Sequence, residues 1–393
     1  MRRPWDVIVV GVGAMGAAAL WQLASRGAKV LGLERHSVGH DQGSSHGGSR
    51  ITREAYFEHP DYVPLLRRAR SLWAELERDS RTRVVHRCGV LYGGRAGSEV
   101  LAGVQGSARR FGIPLESINP SAVSARFPAF AGCAERIDEF LFEPHAGFIR
   151  PERAILAMVE VAQRRGACLR EHARVAGWHE RGDHIEVDVD GTLERAKAIV
   201  LCPGAWAADL IGGLPCALSS TRQVMAWIAP ESPDLCDEHT MPAFYIERDG
   251  GPAIYGVPMA SDQPMPHGVK IGFHGDGSVC RPDDVDRRAT EAELHSMSGA
   301  LRRAVPGAAG PVAAARVCLY TNTPDGHFIV DSLPTTSAAE GGGRACRAYM
   351  ACGFCGHGFK FAPVIGESLA ELAFTGVTGN PIGFLSQNRF KRG

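Results

Sequence analysis

The stretch DVIVVGVGAMG, Asp6 to Gly16, constrains the fold of this chain more than any other. Its first residues are apolar and β-branched, as in a buried strand. Gly11, Gly13 and Gly16 follow in the spacing G-x-G-x-x-G, with Val12, Ala14 and Met15 between them. AAALWQLASRG then reads as a helix that Gly27 ends, and KVLGLE as a second strand closing on Glu34. Each glycine has a physical use: a tight turn, close approach of backbone to a pyrophosphate, and tight helix–strand packing. The helix N-terminus adds free N–H groups and partial positive charge. Glu34, followed by Arg35, falls near the ~20-residue offset of a carboxylate that binds ribose hydroxyls. Strand, helix, strand and acid in this order predict a dinucleotide site in an α/β chain. They leave open whether it takes NAD or FAD, which share an ADP half.

Other segments carry more of the same architecture. GHDQGSSHGGSRITREAY (Gly39–Tyr56) is a polar loop with Ser44, Ser45 and His46, suited to run along a cofactor. It gives way to Arg50 and Arg53, whose spacing predicts one side of a helix. AKAIVLCPGAWAADLIG (Ala196–Gly212) is another buried strand leading into a turn, with Gly204 and Trp206 in that turn. The dinucleotide domain is therefore expected to be assembled from separate segments. HARVAGWHERGDHIEVDVDGTLERA before it alternates like a β-meander, and AAEGGGRA (Ala338–Ala345) reads as an exposed loop. In ARVCLYTNTPDGHFIVD, Cys318 sits in a strand ahead of a TPDG turn, where a small buried hydrophobe is the ordinary occupant. ACGFCGHGFKFAP supports two readings. Cys352 and Cys355 make a lone C-x-x-C, a redox pair or half a zinc site, but no second half completes a metal set. Alternatively, Gly353–Gly358 is a turn opening a helix near Phe359, whose N-terminus faces a flavin while Lys360 projects beside the ring.

Composition narrows the partners. Lys plus Arg and Asp plus Glu are both 43, so the basic excess that nucleic acid or an anionic membrane surface would need is missing. No window approaches the ~18 uninterrupted apolar residues of a membrane span. MRRPWDVIVVGVGAMG resembles a secretion signal only superficially, and the 11 cysteines lack disulfide-framework spacing. Reduced thiols in a cytoplasm are the expectation. A length of 393 residues suits two sub-domains or one large α/β unit.

Four ordered stretches, GSSHGGSRITREAY, YGVP with GVKIGFH, CLYTNTPDGHFIVD and GFCGHGFKFAP, resemble those of one family. It is the monomeric sarcosine oxidase and N-methyltryptophan oxidase family of FAD amine oxidases. The resemblance runs from Asp6 to about Gly376 and implies FAD bonded through its 8α-methyl to the sulfur of Cys318. It places Arg53 and Lys360 where the substrate carboxylate binds, and Tyr255 and His274 where the amine is positioned. His46 and Arg50 fall beside the flavin, Lys270 where a lysine assists reaction with O2, and Val175 at the adenine side. Tyr320, Gly356, His357, Gly358 and Phe359 complete the expected cofactor contacts. There are departures: Ser45 and Gly48 stand where the family often has His and Asp, and Cys355 where it usually has serine.

The implied fold is α/β, a Rossmann-like FAD-binding domain from 1–85, 145–220 and 311–393. An interleaved antiparallel-sheet substrate domain comes from 86–144 and 221–310. The implied reaction oxidises a secondary amino acid, sarcosine foremost, to an imine that hydrolyses to glycine and formaldehyde, while O2 becomes H2O2. N-methyltryptophan, pipecolate and proline are alternative substrates, and an NAD(P)-dependent dehydrogenase is the alternative enzyme class. The partners expected are a small amino acid and O2, with the chain acting as a monomer and no metal.

Overall fold

A computed structural model describes residues 4–263, 266–333 and 347–391. The segment Ala338–Ala345 therefore lies outside the described residues. The glycine fingerprint folds as expected: strand Trp5–Val10, helix Ala14–Ser25 and strand Val30–Leu33. These two strands pair in parallel, Val7 opposite Val30 and Val10 opposite Leu33. Cys168–Arg170 adds to one side. On the other side come Thr192–Leu201 and then Ala348–Cys352, all parallel. Ile329–Ser332 closes that edge antiparallel. Distant segments thus supply one sheet. Such parallel strands are buried on both faces, which is why they read as unbroken apolar runs. The helix Ala14–Ser25 is small-residue-rich and buried from Ala14 to Ala24. It lies against helices Pro151–Arg164 and Ala362–Thr375. The expected meander is present as Val175–Arg181, His184–Val189 and Thr192–Leu201.

A second, nine-stranded sheet contains Val90–Gly94, Glu139–Glu143, Ser219–Ile228, Ala243–Arg248, Gly251–Val257, Val269–Phe273 and Val312–Asn322, with two short strands at its ends. It is antiparallel except where Ala243–Arg248 runs parallel to Val90–Gly94, two segments brought together from far apart in the chain. Val312–Asn322 pairs along its whole length with Ser219–Ile228, setting Cys318 opposite Gln223 and Tyr320 opposite Thr221. Because side chains alternate along a strand, Cys318 and Tyr320 share a face, as do Lys270 and Gly272. A third sheet joins Arg50–Thr52 and Val85–His86 to Gly147–Ile149. Among the described residues no helix is long and apolar enough to cross a membrane.

Candidate active site

A cavity follows the glycine loop. Of the residues expected to hold a cofactor, Gly11, Gly13, Ala14, Met15, Glu34, Arg35, Ser44, Ser45, Arg50, Val175, Gly204, Trp206, Tyr320, Gly356, Gly358 and Phe359 line it. A Cβ at Gly11 would stand 2.4 Å from the Cys202 carbonyl oxygen, and Gly11 has φ +82°, so only glycine fits there. Gly16 and Val12 act from behind the wall. Gly16 packs on the Gly11 carbonyl. Val12 N–H donates to Glu34 Oε2 at 2.8 Å, and His36 N–H donates to Oε1 at 2.9 Å. With His40 also nearby, these partners outweigh burial and hold the Glu34 carboxyl below the usual range. Arg35 and Trp206 meet at Asp283, which accepts from the Trp206 indole at 2.8 Å. A cavity lined both by a carboxylate and by the N-terminus of helix Ala14–Ser25 fits a dinucleotide such as FAD.

A smaller cavity adjoins the first, sharing Arg50, Tyr320, Gly356 and Phe359 with it. Its walls bring together Arg53, Tyr255, His274, Cys318, His357 and Lys360 from segments far apart in sequence. Arg50 and Arg53 do not share a helix. Arg50 opens the strand Arg50–Thr52 and Arg53 follows it, because β-branched Ile51 and Thr52 favour extended backbone that pairs with Gly147–Ile149. Lys360 lies in the short 3-10 turn Phe359–Phe361 that opens helix Ala362–Thr375, as expected of this segment. Its ammonium donates to the His357 carbonyl at 2.8 Å and stands 5.3 Å from the centre of the Tyr56 ring. The Arg53 guanidinium lies between the rings of Tyr56 and Phe57, 4.2 Å from each.

Glu58 is a site residue that sequence reasoning missed. It accepts from Arg53 at 2.6 Å, and that charge holds it at about 2 against the opposing effect of burial. Burial, with Arg53 beside it, pulls Lys360 down to about 7. Burial also pulls His357 down to about 3 and lowers His274, so both rings are neutral near pH 7. Tyr56 donates to His357 Nδ1 at 2.6 Å, while His357 Nε2 donates to the Gly326 carbonyl at 3.1 Å. Tyr255 and Tyr320 both face this cavity. Gly272 makes room for Tyr255, since a Cβ there would lie 2.5 Å from its hydroxyl. Tyr245, also absent from the sequence reading, faces Phe57 and His274 with ring centres 5.4 and 5.9 Å away. Alternation along its strand is the one signal that could have found it.

Cys318 is 2 % exposed and sits where the cavities meet: it lines the smaller one, and Leu319 and Tyr320 line the larger. Arg50 Nη2 donates to its sulfur at 3.5 Å and to the Ser44 carbonyl at 2.9 Å. Lys270 and His46 are buried behind the wall. Lys270 Nζ donates to the Ser49 carbonyl at 2.7 Å. Burial and the charge of Arg50 keep His46 down at about 3. The C-x-x-C pair stands apart. Burial pushes the Cys352 thiol up to about 12 and raises Cys355, the opposite of the lowered pKa that marks a reactive redox thiol.

Comparison with known proteins bears on this geometry. The family of FAD dependent oxidoreductases known as DAO matches residues 6–372. Monomeric sarcosine oxidase of Streptomyces avermitilis is 38% identical over 99% of this chain and 98% of its own. N-methyl-L-tryptophan oxidase of Citrobacter koseri is 34% identical over 94% of both chains. Among solved structures, a mutant of NikD, an unusual amino acid oxidase essential for nikkomycin biosynthesis, is 25% identical. It superposes with a TM-score of 0.83 over 98% of this chain and 97% of its own. A dinucleotide cavity opening onto a second, cation-lined one, in a chain matched end to end by such oxidases, has a direct meaning: this protein belongs to the FAD-dependent oxidoreductases, within their amine and amino-acid oxidase group acting on CH–NH donors.

Proposed function

We propose that this enzyme oxidises a secondary amino acid, sarcosine foremost, and reduces O2 to H2O2. The observation that carries the reading is the pair of buried cations, Arg53 and Lys360, in a small cavity that opens onto the cofactor cavity. Glu58 cancels one of the two charges, so the pair retains one net positive charge, which suits one carboxylate. Bound FAD would supply the two-electron chemistry, accepting a hydride equivalent from the carbon beside nitrogen and delivering the electrons to O2. The chain's own residues do the rest. Arg53 and Lys360 grip the carboxylate, and Tyr255 and neutral His274 orient the amine. Tyr245 and Phe57 add aromatic wall to this small cavity, which favours a small substrate over N-methyltryptophan. His46, Arg50 and Lys270 surround the cofactor-side wall, and the ammonium of Lys270 supplies charge stabilisation to the oxygen reaction. The FAD-binding domain comprises 1–85, 145–220 and 311–393 and the substrate domain 86–144 and 221–310, with Arg53 and Lys360 reaching the substrate from the former, in a protein working as a cytoplasmic monomer. Peroxide release from a panel of secondary amino acids tests the reading. Sarcosine should give the highest kcat/KM, and N-methyltryptophan, pipecolate and proline lower ones. A chain that releases no peroxide with any of them but reduces NAD(P) would overturn it.

Cys318 is proposed to carry FAD through a thioether to the 8α-methyl. Its place at the junction of the cavities supports this, as does Arg50 beside the sulfur. Wild-type protein should then keep its yellow colour on acid precipitation, whereas Cys318→Ala should fold, release any flavin on denaturation and turn over much more slowly. Covalent flavin surviving in acid-denatured Cys318→Ala would show that another residue is the anchor.

A further inference from the structure

We infer that Glu152 and Arg150, which line neither cavity, are positioning residues that clamp the Gly47–Gly48 turn so that the Ser49 carbonyl holds Lys270 and Arg50 together. The inference rests on the oxygen role proposed for Lys270. One carbonyl oxygen accepts from both cations, Lys270 Nζ at 2.7 Å and Arg50 Nη1 at 2.8 Å. Two buried like charges on one acceptor repel, and the arrangement persists only if the acceptor is fixed and an anion offsets the charge. Glu152 meets both needs.

Its carboxylate accepts from Gly47 N–H at 2.6 Å and from Gly48 N–H at 3.1 Å. Its charge also acts favourably on both Arg50 and Lys270. From the other side, Arg150 Nη1 donates to the Gly48 carbonyl at 3.0 Å. Arg150 is 3 % exposed and is itself anchored by Asp262, donating through Nη2 at 2.7 Å and Nε at 3.2 Å. Asp262 meets His86 Nε2 at 3.1 Å, and His86 Nδ1 meets Glu238 at 2.6 Å, so the clamp is rooted in a polar network that runs from half-buried Asp262 to buried His86 and Glu238. The turn needs clamping because Gly47 and Gly48 are consecutive left-handed residues, φ +98° and +73°. Such backbone has the most conformational freedom to lose. Ser49 follows directly and aims its carbonyl at Lys270.

The groups facing Lys270 are Arg50 from its strand, Glu152 and Arg150 from the start of helix Pro151–Arg164, and Cys318 from its own strand. His46 also feels its charge, and the Trp227 ring lies 6.0 Å away. Glu152 is the one carboxylate among them. Two variants of the holoenzyme test the clamp. In Glu152→Ala the Gly47 and Gly48 amides lose their acceptor, and hydrogen exchange in the segment 44–50 should accelerate on the order of tenfold or more. Glu152→Gln keeps an acceptor but removes the charge. The pH above which O2 reoxidation slows should then drop by on the order of one unit, with anaerobic reduction within a few-fold of wild type. In a Lys270→Met background, Glu152→Gln should change reoxidation no further. Unchanged exchange in Glu152→Ala, or an unshifted pH profile in Glu152→Gln, overturns the inference. If Lys270→Met itself leaves reoxidation untouched, the role given to Lys270 fails instead, and exchange alone decides the clamp.

Discussion

Lys270→Met is expected to slow reoxidation of the reduced enzyme by O2 on the order of a hundredfold or more, while anaerobic reduction by substrate stays within a few-fold of wild type. The asymmetry follows from where the ammonium sits. Lys270 is 2 % exposed, outside the walls of the substrate cavity and bonded to the Ser49 carbonyl. It cannot grip the carboxylate. What it offers is a positive charge in a dry place, where ~3 kcal/mol of transition-state stabilisation corresponds to the expected loss. Methionine keeps the length and apolar stem, so packing around Trp227 changes little. Burial and the nearby charge of Arg50 push the Lys270 proton affinity well below the ordinary lysine range, against the pull of Glu152. The sign follows: the charged form is lost as pH rises, so reoxidation of wild type should slow toward high pH and that of Lys270→Met should be flat. Stopped-flow traces of the two half-reactions check both points. Equal slowing of both would make Lys270 a structural residue.

How much of this was legible in the sequence depends on how local the governing physics is. The fingerprint from Asp6 to Glu34 was read residue by residue because a strand, a glycine turn and a helix start are each set by neighbours. The meander and the turn before Ala362 were legible for the same reason. Arg50 and Arg53 were misplaced on a helix because a spacing of three is also what a strand end followed by a loop produces. The β-branched pair between them carried the better signal. Glu58 and Glu152 went unseen for another reason. An acid earns its role from the cation it meets, and the Gly47 partner of Glu152 is 105 residues away. Cys318 shows the limit most clearly. Packed with Met225 and Trp227, it is a small buried residue by every local measure. The feature that no local reading could supply is a guanidinium at 3.5 Å, from a strand with no local link to it.

Removing either cation from the smaller cavity, as Arg53→Met or Lys360→Met, should weaken binding of an amino acid carboxylate by about 2–4 kcal/mol, about 30- to 1000-fold, while flavin content is retained. The two variants should differ in pH behaviour. Arg53 stays charged at any working pH, its proton held still more firmly by Glu58 despite burial. Lys360 does not, since burial and the adjacent Arg53 bring it down to about 7. With Glu58 ionised, the cluster of Arg53, Lys360 and Glu58 carries one net positive charge below that pH and close to none above it. In the wild type, the Kd of a carboxylate without an amine should therefore be flat below pH 7 and climb up to tenfold per unit above it. Lys360→Met should bind weakly with no such slope, because the titrating group is gone. Arg53→Met should bind weakly and shift the slope to higher pH, because removing a neighbouring cation lets Lys360 hold its proton longer. Titration of ligand-induced changes in the flavin absorbance across pH 6 to 9 measures all three. A wild-type Kd independent of pH, or near-normal affinity in both variants, would mean that the carboxylate binds elsewhere.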